Sequence, residues 1–187
     1  MLILPRIRHQ CGMGVLPFVS ALLIMTSAAC MAALHALAAG HVMVAAHVEH
    51  QLAFRAAEVA LLDAEADILA ALAPDSMRLA HWPAADTCGD QAESGWCRHV
   101  PNGTPPWHRW REGESAASPL GVTFGTRSGA RMPQLPAGVI GATTPPRYLL
   151  EILSEGAAGT LPRFRVTALG IGRDPAIRVL LQTEFQP

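Results

Sequence analysis

From His9 to Val48 the chain carries no aspartate, glutamate, lysine or arginine. A helix apolar on all sides over such a length calls for lipid or protein around it rather than water. Lysine is missing altogether, and all 14 basic residues are arginine, which reads as codon bias. The arginines are scattered and the formal net charge is −1. Phosphate binding needs clustered cations, so nucleic acid is not expected as a main partner. Aromatic residues make up 5% of the chain, and its apolar half is largely alanine and leucine. There is no glycine-rich phosphate loop and no nucleophile elbow. Gly12-Met13-Gly14 is not a nucleotide fingerprint, because no strand precedes it. With no catalytic constellation, neither enzymatic activity nor a cofactor is expected.

The cysteines are Cys11, Cys30, Cys88 and Cys97. The first pair lies in or beside the apolar segment, and the second lies in a polar stretch containing Gly and Pro. Cys88 and Cys97, with His81, His99 and His108, are the grouping closest to a zinc site. It offers two thiols and no C-x-x-C spacing, so no metal is expected. A Cys88–Cys97 disulfide is the better reading, and it fits an oxidising compartment. Closing a loop of that size contributes roughly 2.5–3 kcal/mol in the chain-entropy model. Its expected role is to pin the Trp96 loop.

What is there begins with the apolar run itself. Leu16 to Leu37 supplies the roughly 20 residues that a membrane-crossing helix requires. Arg6 and Arg8 precede it and the acidic Glu49 follows it, which places the N-terminus on the cytoplasmic side and the bulk of the chain outside. Three readings are open. One is a cleaved secretory signal cut near Ala36 to Ala39. Another is a lipoprotein signal ending at Cys30, where Ser27-Ala28-Ala29 lacks the expected leucine. The third is a retained anchor that runs on as a helix.

The next segment favours the anchor. Gln51 to Leu72 reads QLAFRAAEVALLDAEADILAAL, rich in the strong helix formers Ala, Leu and Glu. Leu52, Ala56, Val59, Leu62, Ala66 and Leu69 recur at three- and four-residue spacing and predict an apolar stripe facing a core. Asp63, Glu65 and Asp67 read as part of a solvated face. No proline interrupts the chain between Pro17 and Pro74, so a single helix is expected, with Gly40 as its weak point and a two-helix bend there as the alternative.

Residues 74–146 are rich in Pro, Gly, Ser and Thr and read as an irregular excursion. Trp82, Trp96, Trp107 and Trp110 lie there and are expected to pack under long loops, with a carbohydrate- or partner-binding surface as the alternative. After Pro146 the texture changes. Arg147 to Leu153, Arg163 to Gly170 and Ala176 to Phe185 read as three strands joined by turns at Glu155 to Thr160 and Ile171 to Pro175. Short connections imply antiparallel neighbours. The fold class is therefore α+β: a long N-terminal helix, transmembrane over about 16–37, packed on a small C-terminal antiparallel sheet, with an irregular disulfide-containing segment between them.

Three stretches carry a family resemblance. They are His9-Gln10-Cys11-Gly12 with the apolar run through Met25-Thr26; Leu52-Ala53-Phe54-Arg55-Ala56-Ala57-Glu58 through Asp63-Ala64-Glu65; and Pro146-Arg147-Tyr148-Leu149-Leu150-Glu151 with Phe164-Arg165-Val166-Thr167-Ala168, Gly170, Gly172 and Val179-Leu180-Leu181-Gln182. In this order the chain resembles a type IV pilus minor pilin of the PilX kind; the Gly95-Trp96-Cys97 to Trp110 stretch fits more loosely. The resemblance implies a leader over 1–12, a helix over 13–72 and a periplasmic pilin-like domain over 73–187. It implies prepilin peptidase cutting between Gly12 and Met13, methylation of the new N-terminus, and residence in the bacterial inner membrane before incorporation into the pilus. Gly14 offers an alternative position for the cut. Other minor pilins and a PilY-type tip protein are the implied partners, in a priming or tip complex. Pilins usually carry glutamate at the fifth mature position; counting from Met13 that residue is Pro17. A type II secretion pseudopilin is the nearest rival, and a secreted ligand-binding module the rival of another class.

Overall fold

The structure, a computed structural model, describes residues 15–76, 78–83, 88, 95–98, 101, 103–112, 120–132, 141–142, 144–154 and 161–187. The expected cleavage residues Gly12 and Met13, with Gly14, lie outside the described residues, as does the turn expected at 155–160. Helix α1 runs unbroken over Val15–Ala71. Gly40 does not bend it into two. Pro17 falls in the first turn, where a missing backbone N–H costs nothing. The helix ends before Pro74, with the Leu72 amide still donating to the Ile68 carbonyl at 3.0 Å.

The chain divides into two compact units, 1–46 and 47–187. In the first, every described residue of α1 is exposed. Four of its polar side chains are turned back onto the helix. Ser20 donates to the Pro17 carbonyl at 2.9 Å, Thr26 to Leu23 at 3.0 Å, and Ser27 to Leu23 at 2.8 Å. His35 Nδ1 lies 2.8 Å from the Met31 carbonyl oxygen. Such self-satisfaction is what a hydrocarbon environment demands of polar atoms. Among the described residues, α1 is the one helix long and apolar enough to cross a membrane.

The second unit lays the rest of α1 on a five-stranded mixed sheet. Its strands are β1 (Trp96–Arg98), β2 (Val122–Thr123), β3 (Arg147–Ser154), β4 (Arg163–Ile171) and β5 (Arg178–Phe185), in the order β1-β3-β4-β5 with β2 also on β3. The pairs β3–β4 and β4–β5 are antiparallel, as alternation and short turns predict. The mixed character comes from β1, which pairs parallel to β3 with Trp96 opposite Leu150. Parallel pairing needs a long crossover, and the irregular excursion between Arg98 and Arg147 supplies one. A short helix, α2 (His108–Arg111), lies in that excursion.

The sheet's inner face offers Tyr148, Leu150, Ile152, Phe164, Val166, Ala168 and Val179 to α1. The outer face carries a smaller cluster of Cys97, Trp110, Leu120, Leu149 and Leu169. The face α1 turns to the sheet is not the stripe expected from its leucines. It is Ala53, Ala56, Ala57, Ala60, Asp63, Ala64, Asp67, Ile68 and Ala71. Of the expected stripe only Ala56 is buried; Leu52 and Val59 are half-buried, Ala66 is exposed, and Leu62 and Leu69 are 66% and 55% exposed. The reason is steric. Gly170 on β4 lies against the helix backbone, and a Cβ there would sit 1.9 Å from the Ala53 carbonyl oxygen and 2.5 Å from the Ala57 nitrogen. Only small residues fit beside Gly170; Ile68, farther along the same face, is buried where the approach is not so constrained.

Gly170→Ala is therefore expected to destabilise the folded domain by about 1–3 kcal/mol, read as a lower urea midpoint of the full chain in detergent micelles. Gly40→Ala, with nothing within 4 Å of the added Cβ, should leave that midpoint in place. Equal midpoints for Gly170→Ala and the wild type would refute the close-packing account.

Candidate functional site

The helix face that meets the sheet carries two carboxylates one turn apart. Asp63 and Asp67 are 4% and 2% exposed, and this corrects their reading as a solvated face. The i, i+4 spacing places them on one side of the helix, in phase with Ala53, Ala57, Ala60 and Ala64. Glu65, two residues from each, is only half-buried.

Asp67 gathers four segments. One oxygen, Oδ2, accepts from the Trp96 indole N–H of β1 at 3.2 Å and from the Tyr148 hydroxyl of β3 at 3.1 Å. Its other oxygen meets the Arg78 guanidinium at 2.6 Å, and Arg127 Nε stands 3.7 Å away. Burial, then the nearby Asp67 and Asp63 carboxylates, push the Tyr148 hydroxyl far above its ordinary pKa, so it remains a donor. Asp63 binds the turn after β2. The Gly125 amide donates to it at 2.8 Å, and the Ser128 hydroxyl makes a short hydrogen bond to its other oxygen. That turn is internally closed by Thr126 N to the Thr123 carbonyl at 3.1 Å and Gly129 N to the Gly125 carbonyl at 2.9 Å. Two aspartates thus fasten β1, β3, the turn after β2 and the 3-10 helix Arg78–His81 to one helix.

The tryptophans serve this junction more than a surface. Trp96 is buried, Trp82 stacks on it with centroids 4.2 Å apart, and Arg78 lies over its ring at 4.6 Å. The Trp82 indole donates to the Cys97 carbonyl at 2.9 Å. Trp110 is buried on the outer face with Trp107 packed beside it. Cys97 is joined to Cys88 by a disulfide, so strand β1 is held on one face by Trp96 and on the other by the crosslink. His108 pairs with Glu112 at 3.2 Å rather than with a cysteine, and His99 lies outside the described residues. Among the described residues no group of His, Cys, Asp or Glu is placed to hold a metal.

The arrangement is mechanical. It sets a sheet on a helix in one register, and it leaves the apolar first half of that helix uncovered. Sequence reasoning missed Asp63, Asp67, Arg78, Arg127 and the role of Tyr148. The available signal was phase: both aspartates fall on the row of small residues and off the row of leucines.

Two outcomes test the junction. Asp67→Ala leaves two arginines beside an emptied buried site, and should cost about 3–5 kcal/mol in urea unfolding followed by tryptophan fluorescence. Asp67→Asn, which keeps an acceptor for the indole and the hydroxyl, should cost less; an unchanged midpoint in both would refute the junction's role. Separately, thiol labelling of the folded chain should find Cys88 and Cys97 blocked until reductant is added.

Residues 93–187, just over half of the chain, match the family model described as type IV pilus assembly protein PilX C-term. No curated protein and no solved structure matches the chain.

Proposed function

The chain belongs to the PilX family of type IV pilus assembly proteins, and from that premise we propose that this membrane-anchored minor pilin acts in a priming or tip complex of the pilus. The observation that carries the reading is the single helix whose first half is apolar and uncovered and whose second half is fastened to a family-matching domain. The first half serves lipid while the subunit waits in the inner membrane, with its domain in the periplasm. The same surface then serves a bundle of helices in the fibre, because it is apolar on all sides. Prepilin peptidase removes residues 1–12 between Gly12 and Met13, and Met13 becomes the methylated N-terminus.

Pro17 at the fifth mature position argues for a place at the tip. A carboxylate there would be costly in the bilayer and would need a neighbour's amine to pair with. A subunit without it waits in the membrane at lower cost and lacks one contact for insertion along the shaft. The partners proposed are other minor pilins and a PilY-type tip protein, with no nucleic acid and no catalytic role.

N-terminal sequencing of the mature protein decides the processing. Methylated Met13 is the expected first residue. A first residue at Val15 would move the cut to Gly14 and keep the reading. A start near Ala39 or His41 would overturn it in favour of a secreted module.

A further inference from the structure

We infer that the turn between β4 and β5 is a clasp on α1, with Glu49 as its catch, and that this clasp sets the boundary between the stretch of helix held by the sheet and the stretch left free. Glu49 is the first charged residue after the uncharged run. Its carboxylate accepts from the Arg173 amide at 2.8 Å, from Arg173 Nε at 2.5 Å and from the Asp174 amide at 3.4 Å. Successive amides and a guanidinium on one carboxylate form a built receptor rather than a chance surface pair.

The turn is shaped before it meets the helix. The Gly172 amide donates to the Ile177 carbonyl at 3.0 Å and the Ile177 amide to the Asp174 carbonyl at 3.0 Å. The Asp174 carboxylate accepts from the Ala176 amide at 2.9 Å. Gly172 admits the close approach: a Cβ there would stand 3.0 Å from Glu49 Oε2 and 3.2 Å from the Glu49 carbonyl oxygen. One turn further along α1, Ala53 is the first fully buried residue, lying under Gly170. With the clasp closed the held helix begins at Glu49; with it open it begins at Ala53.

Local opening starts where buried contacts are few, and α1 is exposed from Val15 through His47. The clasp stops that opening one turn early. The charged and titratable groups about it are Arg173, Asp174 and Arg178 on the turn and its strand, and His47 and His50 on the helix. Burial pushes the Glu49 carboxyl up, but the amides and guanidinium of the turn outweigh it and hold it below the ordinary carboxylate value. The clasp therefore persists above the carboxylate range and is lost as pH falls through it.

The test is hydrogen exchange by mass spectrometry on the full chain in detergent micelles, for the wild type, Glu49→Gln and Arg173→Ala. Amides at 49–53 are expected to exchange about three- to tenfold faster in both variants, with 57–71 unchanged. Unchanged exchange at 49–53 in both variants would overturn the clasp. Faster exchange throughout 57–71 would also overturn it, by assigning Glu49 to general stability. The readout is made on the isolated chain, so a negative result leaves the pilus role standing.

Discussion

Gly170 brings strand β4 so close to α1 that a methyl group at that position would overlap the Ala53 carbonyl oxygen. The helix can accept such a neighbour only where its own side chains are small, and this selects the row Ala53, Ala57, Ala60 and Ala64. Alanines bury little area each, and hydrophobic gain scales with area removed from water. The larger apolar contribution therefore comes from the sheet: Tyr148, Leu150, Phe164 and Val166 are each at most 1% exposed. Leu62 and Leu69, which would have buried more, lie off this row and are 66% and 55% exposed.

A row of alanines is also featureless. A helix shifted by one turn would present nearly the same surface to the sheet, so close packing alone does not fix the register. Asp63 and Asp67 supply what the alanines lack. The Asp67 carboxylate is met by an indole, a phenol and two guanidinium groups, and Asp63 by an amide and a hydroxyl. No other position on that face carries an acceptor with the same reach. Charges so deeply buried are costly to desolvate and are weak evidence for stability in themselves. Their value here is positional: they admit one alignment of helix, β1, β3 and the turn after β2.

Much of this was legible in the residues, and the parts that were not have identifiable reasons. The three long strands announced themselves by alternation and bounding turns. The helix announced itself by composition and by the lack of proline from Phe18 to Ala73. Its buried face was misread because leucine dominates any periodicity count, whereas alanine is apolar enough to lie on either side. The aspartates were misread because a carboxylate's partners lie elsewhere: Tyr148 is 81 residues from Asp67, and Ser128 is 65 from Asp63. Strands β1 and β2, of three and two residues, are too short for any pattern, and the parallel pairing of β1 has no local signal. The disulfide was readable because its sequence separation is only 9.

The two halves of α1 follow opposite rules, and their contrast suits the proposed passage of the subunit from lipid into a fibre. In the first half every hydroxyl is returned to the helix's own backbone and no Asp, Glu, Lys or Arg distinguishes one side from another. Such a surface has no preferred polar partner, so moving it from lipid to protein breaks no hydrogen bond. In the second half the polar groups that face the sheet are committed to it, from Glu49 at one end to Asp67 near the other. Because those bonds lie within the subunit, they need not be remade when the surroundings change. Permanent contacts are thus confined to residues after Val48, and exchangeable apolar contacts to those before it.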